Sequence, residues 1–391
     1  MNNDVRGWLR ASTITAATVA VAALMVPGAA HASPGSPAPG AKAGECSLAG
    51  ATITAEVSIN DALTERFETY ANTGGEWTGA DSTYSLPLPG GETGWFFSDT
   101  FLGEVNDDGS RPLDSVFVNN SIVVDDGETL RTVTGGTPEA PESVIPPTED
   151  GKWHWIGDPT AGRRGTVHVP LLQFEKFGPG GFDFGWTANR LAILDEDTLE
   201  LQSIEDLPSA TGINWGSWTQ EAGNRTLVYG ITDIDGVRSA FVARTSGTRG
   251  LDGIWRFWDG QRWSPHEADA APVASYVANE FSVAPFRDGW LMVTHDTTFP
   301  FDSRIVAKVA CEPTGPFVDA GELYRTPETG PFGSYGDGDV FTYNAHEHPE
   351  FREGDTLLVT YNVNTFDNVG DVYDDASIYR PRFLDVTLTV D

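Results

Sequence analysis

From Gly75 onward the apolar residues of this chain come in short runs, each closed off by Gly, Asp, Asn or Pro. Gly94-Trp95-Phe96-Phe97-Ser98, Ser121-Ile122-Val123-Val124 and Thr166-Val167-His168-Val169-Pro170-Leu171-Leu172 are early examples. Gly289-Trp290-Leu291-Met292-Val293-Thr294 and Thr356-Leu357-Leu358-Val359-Thr360-Tyr361 are later ones. Runs this short, rich in β-branched and aromatic side chains, predict strands bounded by turns. Upstream the spacing changes. Leu63, Phe67 and Tyr70 recur at helical intervals after Asn60 and Asp61, either of which can cap, so one short helix is expected between Asn60 and Tyr70. Further upstream, Arg6 and Arg10 precede an apolar stretch over residues 11–26, and Ala30-His31-Ala32 follows it. That order is expected of a secretory signal peptide over residues 1–32. The apolar stretch is short for a membrane anchor. Ser33 to Gly44 is Pro, Gly and Ala with single polar residues, and predicts a linker over residues 33–50.

The strand runs repeat. Candidate first strands begin near Asp81, Trp153, Asn214, Asn279 and Asn344, a period of roughly 65 residues, and each is followed by an apolar second strand, a third and an outer fourth. Five such units fit between Gly75 and the C-terminus, within an expected propeller domain over residues 51–391. A radial array of four-stranded sheets accounts for this period and protects most strand edges. The expected fold is therefore all-β, a five-bladed β-propeller with a short N-terminal helical extension. A β-sandwich is the competing arrangement, but one sandwich rarely exceeds ~250 residues.

Charge narrows the partners. The chain carries 57 Asp and Glu against 24 Lys and Arg, for a formal net charge of −33. Such an acidic surface disfavours nucleic acid and anionic membranes, because binding either needs a basic face. The 12 Trp and 43 Gly suit a packed β-protein rather than a disordered chain. With only 2 Cys there is no thiolate zinc site of the four-cysteine kind. In an exported chain Cys46 and Cys311 are expected to pair. A secreted, extracellular monomer is the expectation.

Candidate chemistry concentrates in the first unit. Trp77-Thr78-Gly79-Ala80-Asp81-Ser82-Thr83-Tyr84-Ser85-Leu86 and Thr93-Gly94-Trp95-Phe96-Phe97-Ser98-Asp99-Thr100-Phe101-Leu102-Gly103 form a hairpin about Gly90-Gly91. Asp81 opens its first strand and Asp99 closes its second, so folding brings both acids to one end. In a propeller that end faces the central channel. Paired carboxylates are what glycoside hydrolysis uses: one protonates the leaving oxygen, and the other acts as nucleophile or as base toward water. Spacing alone leaves open which acid plays which part, and also leaves open plain turn-capping roles.

The segments Gly79-Ala80-Asp81-Ser82-Thr83-Tyr84-Ser85 and Trp95-Phe96-Phe97-Ser98-Asp99-Thr100-Phe101-Leu102-Gly103 resemble a secreted bacterial family of five-bladed propellers related to the endo-D-arabinanases. Asn279-Glu280-Phe281-Ser282-Val283, followed by Trp290, is similar to a blade-opening segment of that family. The resemblance implies a glycoside hydrolase acting on a neutral furanose polysaccharide, with D-arabinan the leading substrate and endo action expected. It aligns Asp81 and Asp99 with the paired catalytic aspartates and Glu280 with a channel-facing acid, which either tunes the pair or is itself the proton donor. Here Ser98 precedes Asp99 where many relatives have Gly.

Further channel candidates follow from the unit boundaries. Asn119 and Asn120 precede a third strand. Trp153, Trp155 and Asp158 open the second unit, and Asn214, Trp215 and Ser217 the third. Tyr343, Asn344 and His346 open the fifth, and Arg382 lies near the end. Amides bond sugar hydroxyls and aromatic faces stack on sugar rings. His346-Glu347-His348 is not the H-E-x-x-H zinc pattern. No cofactor is expected to be required; a structural Ca2+ in the central channel, near His346, is the one ion the sequence leaves open. The reading of another class is a noncatalytic carbohydrate-binding propeller.

Overall fold

The computed structural model describes residues 46–180, 183–246, 250–367 and 369–391. The expected signal peptide and residues 33–45 of the expected linker lie outside them. Five antiparallel sheets are arranged as the blades of a propeller. Their inner strands are Trp77–Pro87, Lys152–Ile156, Asn214–Ala222, Phe281–Phe286 and Val340–Glu347. These starts lie within four residues of the boundaries read from the turns.

The fifth blade departs from the expected pattern. Its outer strand is not its own. Ile53–Ile59 pairs antiparallel with Pro381–Val390, in register from Ile53 opposite Val390 to Ile59 opposite Leu384. The start of the propeller thus closes the ring against its end. Residues 46–50 do not behave as linker either. Cys46 is disulfide-bonded to Cys311, Leu48 is fully buried, and the Ser47 N–H donates to Asp288 Oδ2 at 2.9 Å. The bond fastens this segment to the fourth blade.

The helix runs over Asp61–Thr73, and Asn60 caps it by accepting from the Leu63 N–H at 3.0 Å. It is the short N-terminal helix expected ahead of blade 1, and it follows the closing strand. Phe67 and Ala71 form its buried face. The Phe67 ring packs on Trp77, Trp95 and Phe383 with centroid distances of 5.5, 5.6 and 5.1 Å. This ties the helix to blades 1 and 5.

Three inner strands break their alternation as they line the axis. Register shifts occur around Ser82, between Trp215 and Trp218, and between Tyr343 and His346. Ser82, Thr83 and Asn344 take left-handed φ values of 70°, 74° and 59°. Bulges re-aim side chains, and non-glycine residues held at such angles gather at functional sites. In blade 2 the inner strand is interrupted at Gly157, where a Cβ would lie 2.2 Å from the Gly216 carbonyl oxygen. Only glycine fits that approach. Hydrogen bonds then stitch the blades around the axis. Tyr84 Oη donates to the Ser217 carbonyl at 2.9 Å, Trp218 Nε1 to the Val283 carbonyl at 2.7 Å, and Asn362 Nδ2 to Thr83 Oγ1 at 3.0 Å.

Candidate active site

A cavity of about 920 Å3 sits on the axis and takes lining residues from all five blades. Asp81, Asp99 and Glu280 all face it. The bulge around Ser82 brings the first two together. Ala80 pairs with Thr100 and Ser82 with Phe97, so Asp81 stands across from the Ser98–Asp99 step.

Each acid has its own surroundings. Asp81 Oδ2 accepts from Tyr343 Oη at 2.8 Å and from Tyr379 Oη at 3.1 Å, while Oδ1 has no partner. Burial pushes this carboxyl up, to about 6, against the two tyrosine hydroxyls, which stabilise the charged form. Asp99 Oδ1 accepts from Asn119 Nδ2 and from Trp155 Nε1, both at 2.8 Å. Burial and then the neighbouring Asp81 charge push it further, to about 8. Glu280 is buried. Its Oε1 accepts from Ser82 Oγ and Asn344 Nδ2, both at 2.8 Å, and Oε2 has no hydrogen-bond partner. Burial and the Asp81 charge hold it well above the ordinary glutamate range. The arrangement therefore makes Asp99 hold its proton more tightly than Asp81. Environments that push two acids apart assign them opposite parts.

The cavity wall is otherwise mostly aromatic and uncharged. Trp153, Trp155, Phe174 and Phe184 line it from blade 2; Phe101, Phe117, Phe301, Phe341 and Tyr343 line other parts. Besides the three acids, the charged side chains that line it are Lys176, Asp233 and Arg238. Arg238 is paired with Asp233 at 3.0 Å and bonded to Asn279 at 2.6 Å.

Of the residues expected at the channel, Asn119, Trp153, Trp155, Asn214, Ser217, Tyr343 and Asn344 line the cavity. Asn120 does not. It is fully buried, donating to the Ile145 and His154 carbonyls at 3.0 Å and accepting from the Ile145 N–H. It is a backbone clamp, and Asn189 repeats it in blade 2, donating to the Pro208 and Ile213 carbonyls. Trp215 also lies away from the cavity, buried, its Nε1 donating to Glu267 Oε1 at 3.0 Å. Asp158 is buried and accepts from the Thr219 N–H and hydroxyl at 2.7 and 2.9 Å, joining blades 2 and 3. Arg382 is a structural cation: it bonds Glu328 at 3.2 Å and Tyr335 at 2.7 Å. His346 is buried beneath the cavity. Its two ring nitrogens lie 3.0 and 3.2 Å from the Asn344 and Thr83 carbonyls, and the neutral ring donates its one N–H to one of them. Among the described residues no group of three or more His, Cys, Asp or Glu side chains is placed to hold a metal ion. The arrangement does not fit the expected channel Ca2+ at His346.

Two participants were not singled out from the sequence. Tyr379 holds Asp81, and Ser82 holds Glu280. Tyr379 stands in the same short segment as Arg382, and a phenol beside a charged strand end was the available signal. Ser82 owes its aim to the bulge, which composition does not reveal.

The fold and the cleft define an axial-site β-propeller. The chain belongs to the family described as Domain of unknown function (DUF5005), which matches residues 64–388. Among solved structures it is similar to a candidate hydrolase from Bacteroides ovatus ATCC 8483, at 21% identity over 84% of this chain and 90% of that one, with a TM-score of 0.69. More distant similarity reaches a GH43_1 enzyme from Xanthomonas citri complexed with xylotriose, at 12% identity, 88% and 92% coverage and a TM-score of 0.45. It also reaches Zg3597, a family 117 glycoside hydrolase from Zobellia galactanivorans, at 11% identity, 86% and 90% coverage and a TM-score of 0.42. Comparison with curated proteins gives no match.

Proposed function

We propose that this protein is a secreted glycoside hydrolase acting on a neutral furanose polysaccharide. The observation that carries the reading is the pair Asp81 and Asp99, facing one cavity with unlike hydrogen-bond partners and unlike proton affinities. Protonated Asp99 gives its proton to the glycosidic oxygen as the bond to the anomeric carbon breaks. Ionised Asp81 supplies the electron pair at that carbon, directly or by taking a proton from the attacking water. Glu280 holds Ser82 and Asn344 through its Oε1, and its carboxyl, cavity-lining and unpartnered at Oε2, is the alternative proton donor to Asp99. The mostly aromatic, uncharged wall suits neutral sugars. The resemblance of Trp77–Gly103 to arabinanase-related propellers makes D-arabinan the first substrate to try. The Cys46–Cys311 disulfide fits an oxidising destination, and no helix among the described residues is long and apolar enough to cross a membrane.

Digestion of D-arabinan, followed as reducing-end release, tests this. Asp81→Asn and Asp99→Asn should each cut turnover by about 10²-fold or more, the range for loss of an acid or base, without lowering the melting temperature. Near-normal turnover in either variant removes that residue from the mechanism. Binding without products in the native protein points to a noncatalytic lectin-like propeller instead.

A further inference from the structure

Two aromatic tracks leave the carboxylate pair on opposite sides. Asp99 is bonded to Trp155 of blade 2, and the Trp155 ring packs on Trp153 and Phe184 with centroids 6.0 and 5.1 Å apart. Asp81 is bonded to Tyr343 of blade 5, whose ring lies 5.5 Å from Phe341; Phe341 in turn packs on Phe301 at 4.5 Å and on Phe366 at 4.7 Å. Blades 2 and 5 are the two neighbours of blade 1, which carries both acids. Two features mark these surfaces. Phe301 and Phe366 expose 48% and 44% of their surface although they are large and apolar. Trp153 Nε1, buried within the wall of the cavity, has no acceptor.

We propose that the cavity holds an extended glycan chain on both sides of the scissile bond, with the leaving-group sugars on the Trp153–Trp155–Phe184 wall and the sugars on the non-reducing side along Phe341 and Phe301. The assignment of sides rests on the hydrolase reading above: a proton donor stands beside the leaving oxygen, and Asp99 is tied to blade 2. Stacking on flat carbon faces of successive sugars uses both tracks only when the chain continues past the cut in each direction. Interior bonds are then preferred to terminal ones.

The probe is a linear D-arabino-octasaccharide labelled at its reducing end, cut by the native chain and by Phe184→Ala, Phe184→Leu and Phe301→Ala. The leucine variant keeps apolar volume if alanine disturbs blade 2. Each variant should raise KM about tenfold with kcat within about twofold, and the cut should move in opposite senses. Loss of the Phe184 face shortens the labelled fragment; loss of the Phe301 face lengthens it. Shifts in the same sense, or no shift in folded variants, overturn the assignment while leaving hydrolysis intact. In an Asp99→Asn background, tryptophan fluorescence should report about tenfold weaker octasaccharide binding for both phenylalanine variants. If the native chain cuts no arabinan but this two-sided dependence holds, the hydrolase reading fails and the chain-binding surface stands. Binding indifferent to both phenylalanines overturns the surface itself.

Discussion

At the scale of single residues, the decisive contrast is between two aspartates with different hydrogen-bond partners. Asp81 receives two phenolic hydrogens, whereas Asp99 receives an amide and an indole hydrogen and feels the charge of its neighbour. A bell-shaped pH dependence of kcat/KM follows. Activity falls below about 6, where Asp81 takes up a proton and loses its electron pair, and above about 8, where Asp99 has none left to give. Tyr343→Phe removes a donor that favours ionised Asp81, so the acidic limb should move to higher pH by about one unit or more, with the alkaline limb far less affected. A pH–rate profile checks both; an acidic limb unmoved by the substitution would detach Tyr343 from the titration. The acids themselves could be read from the hairpin. Their neighbours were harder to read, because in a strand adjacent residues face opposite ways. Asn119 and Asn214 reach the cavity, while Asn120 and Trp215, each one position on, turn into the packing.

At the scale of elements, short runs punctuated by turn residues were enough to place five sheets, since strand and turn chemistry are local. Two features escaped that logic. The bulges at Ser82 and Asn344 are register shifts that the local strand pattern does not announce. The helix was expected from its spacing, yet its tie to blades 1 and 5 came only from what Phe67 meets. Phe67→Ala should destabilise the fold by about 3–5 kcal/mol, as large aromatic truncations in a core do, measured by denaturant unfolding. A cost below about 1 kcal/mol would mean the helix is merely laid on the blades.

For the whole molecule, closure is the organising fact. Ile53–Ile59 finds its partner at the far end of the sequence, a pairing no local pattern announces. The Cys46–Cys311 bond holds the segment just before that strand to blade 4. Replacing both cysteines with serine should lower stability by about 2–4 kcal/mol, the usual contribution of a native bridge, and make the fold insensitive to reductant. Unchanged unfolding in the double variant would show that strand pairing alone secures the seam.

The seam also dictates timing. A chain made from its N-terminus carries Ile53–Ile59 early, but the strand it pairs with, Pro381–Val390, emerges only after the inner strands of all five blades. Until then the ring stays open, so a product ended before that strand carries the lining of the axial cleft without the strand pair that seals it.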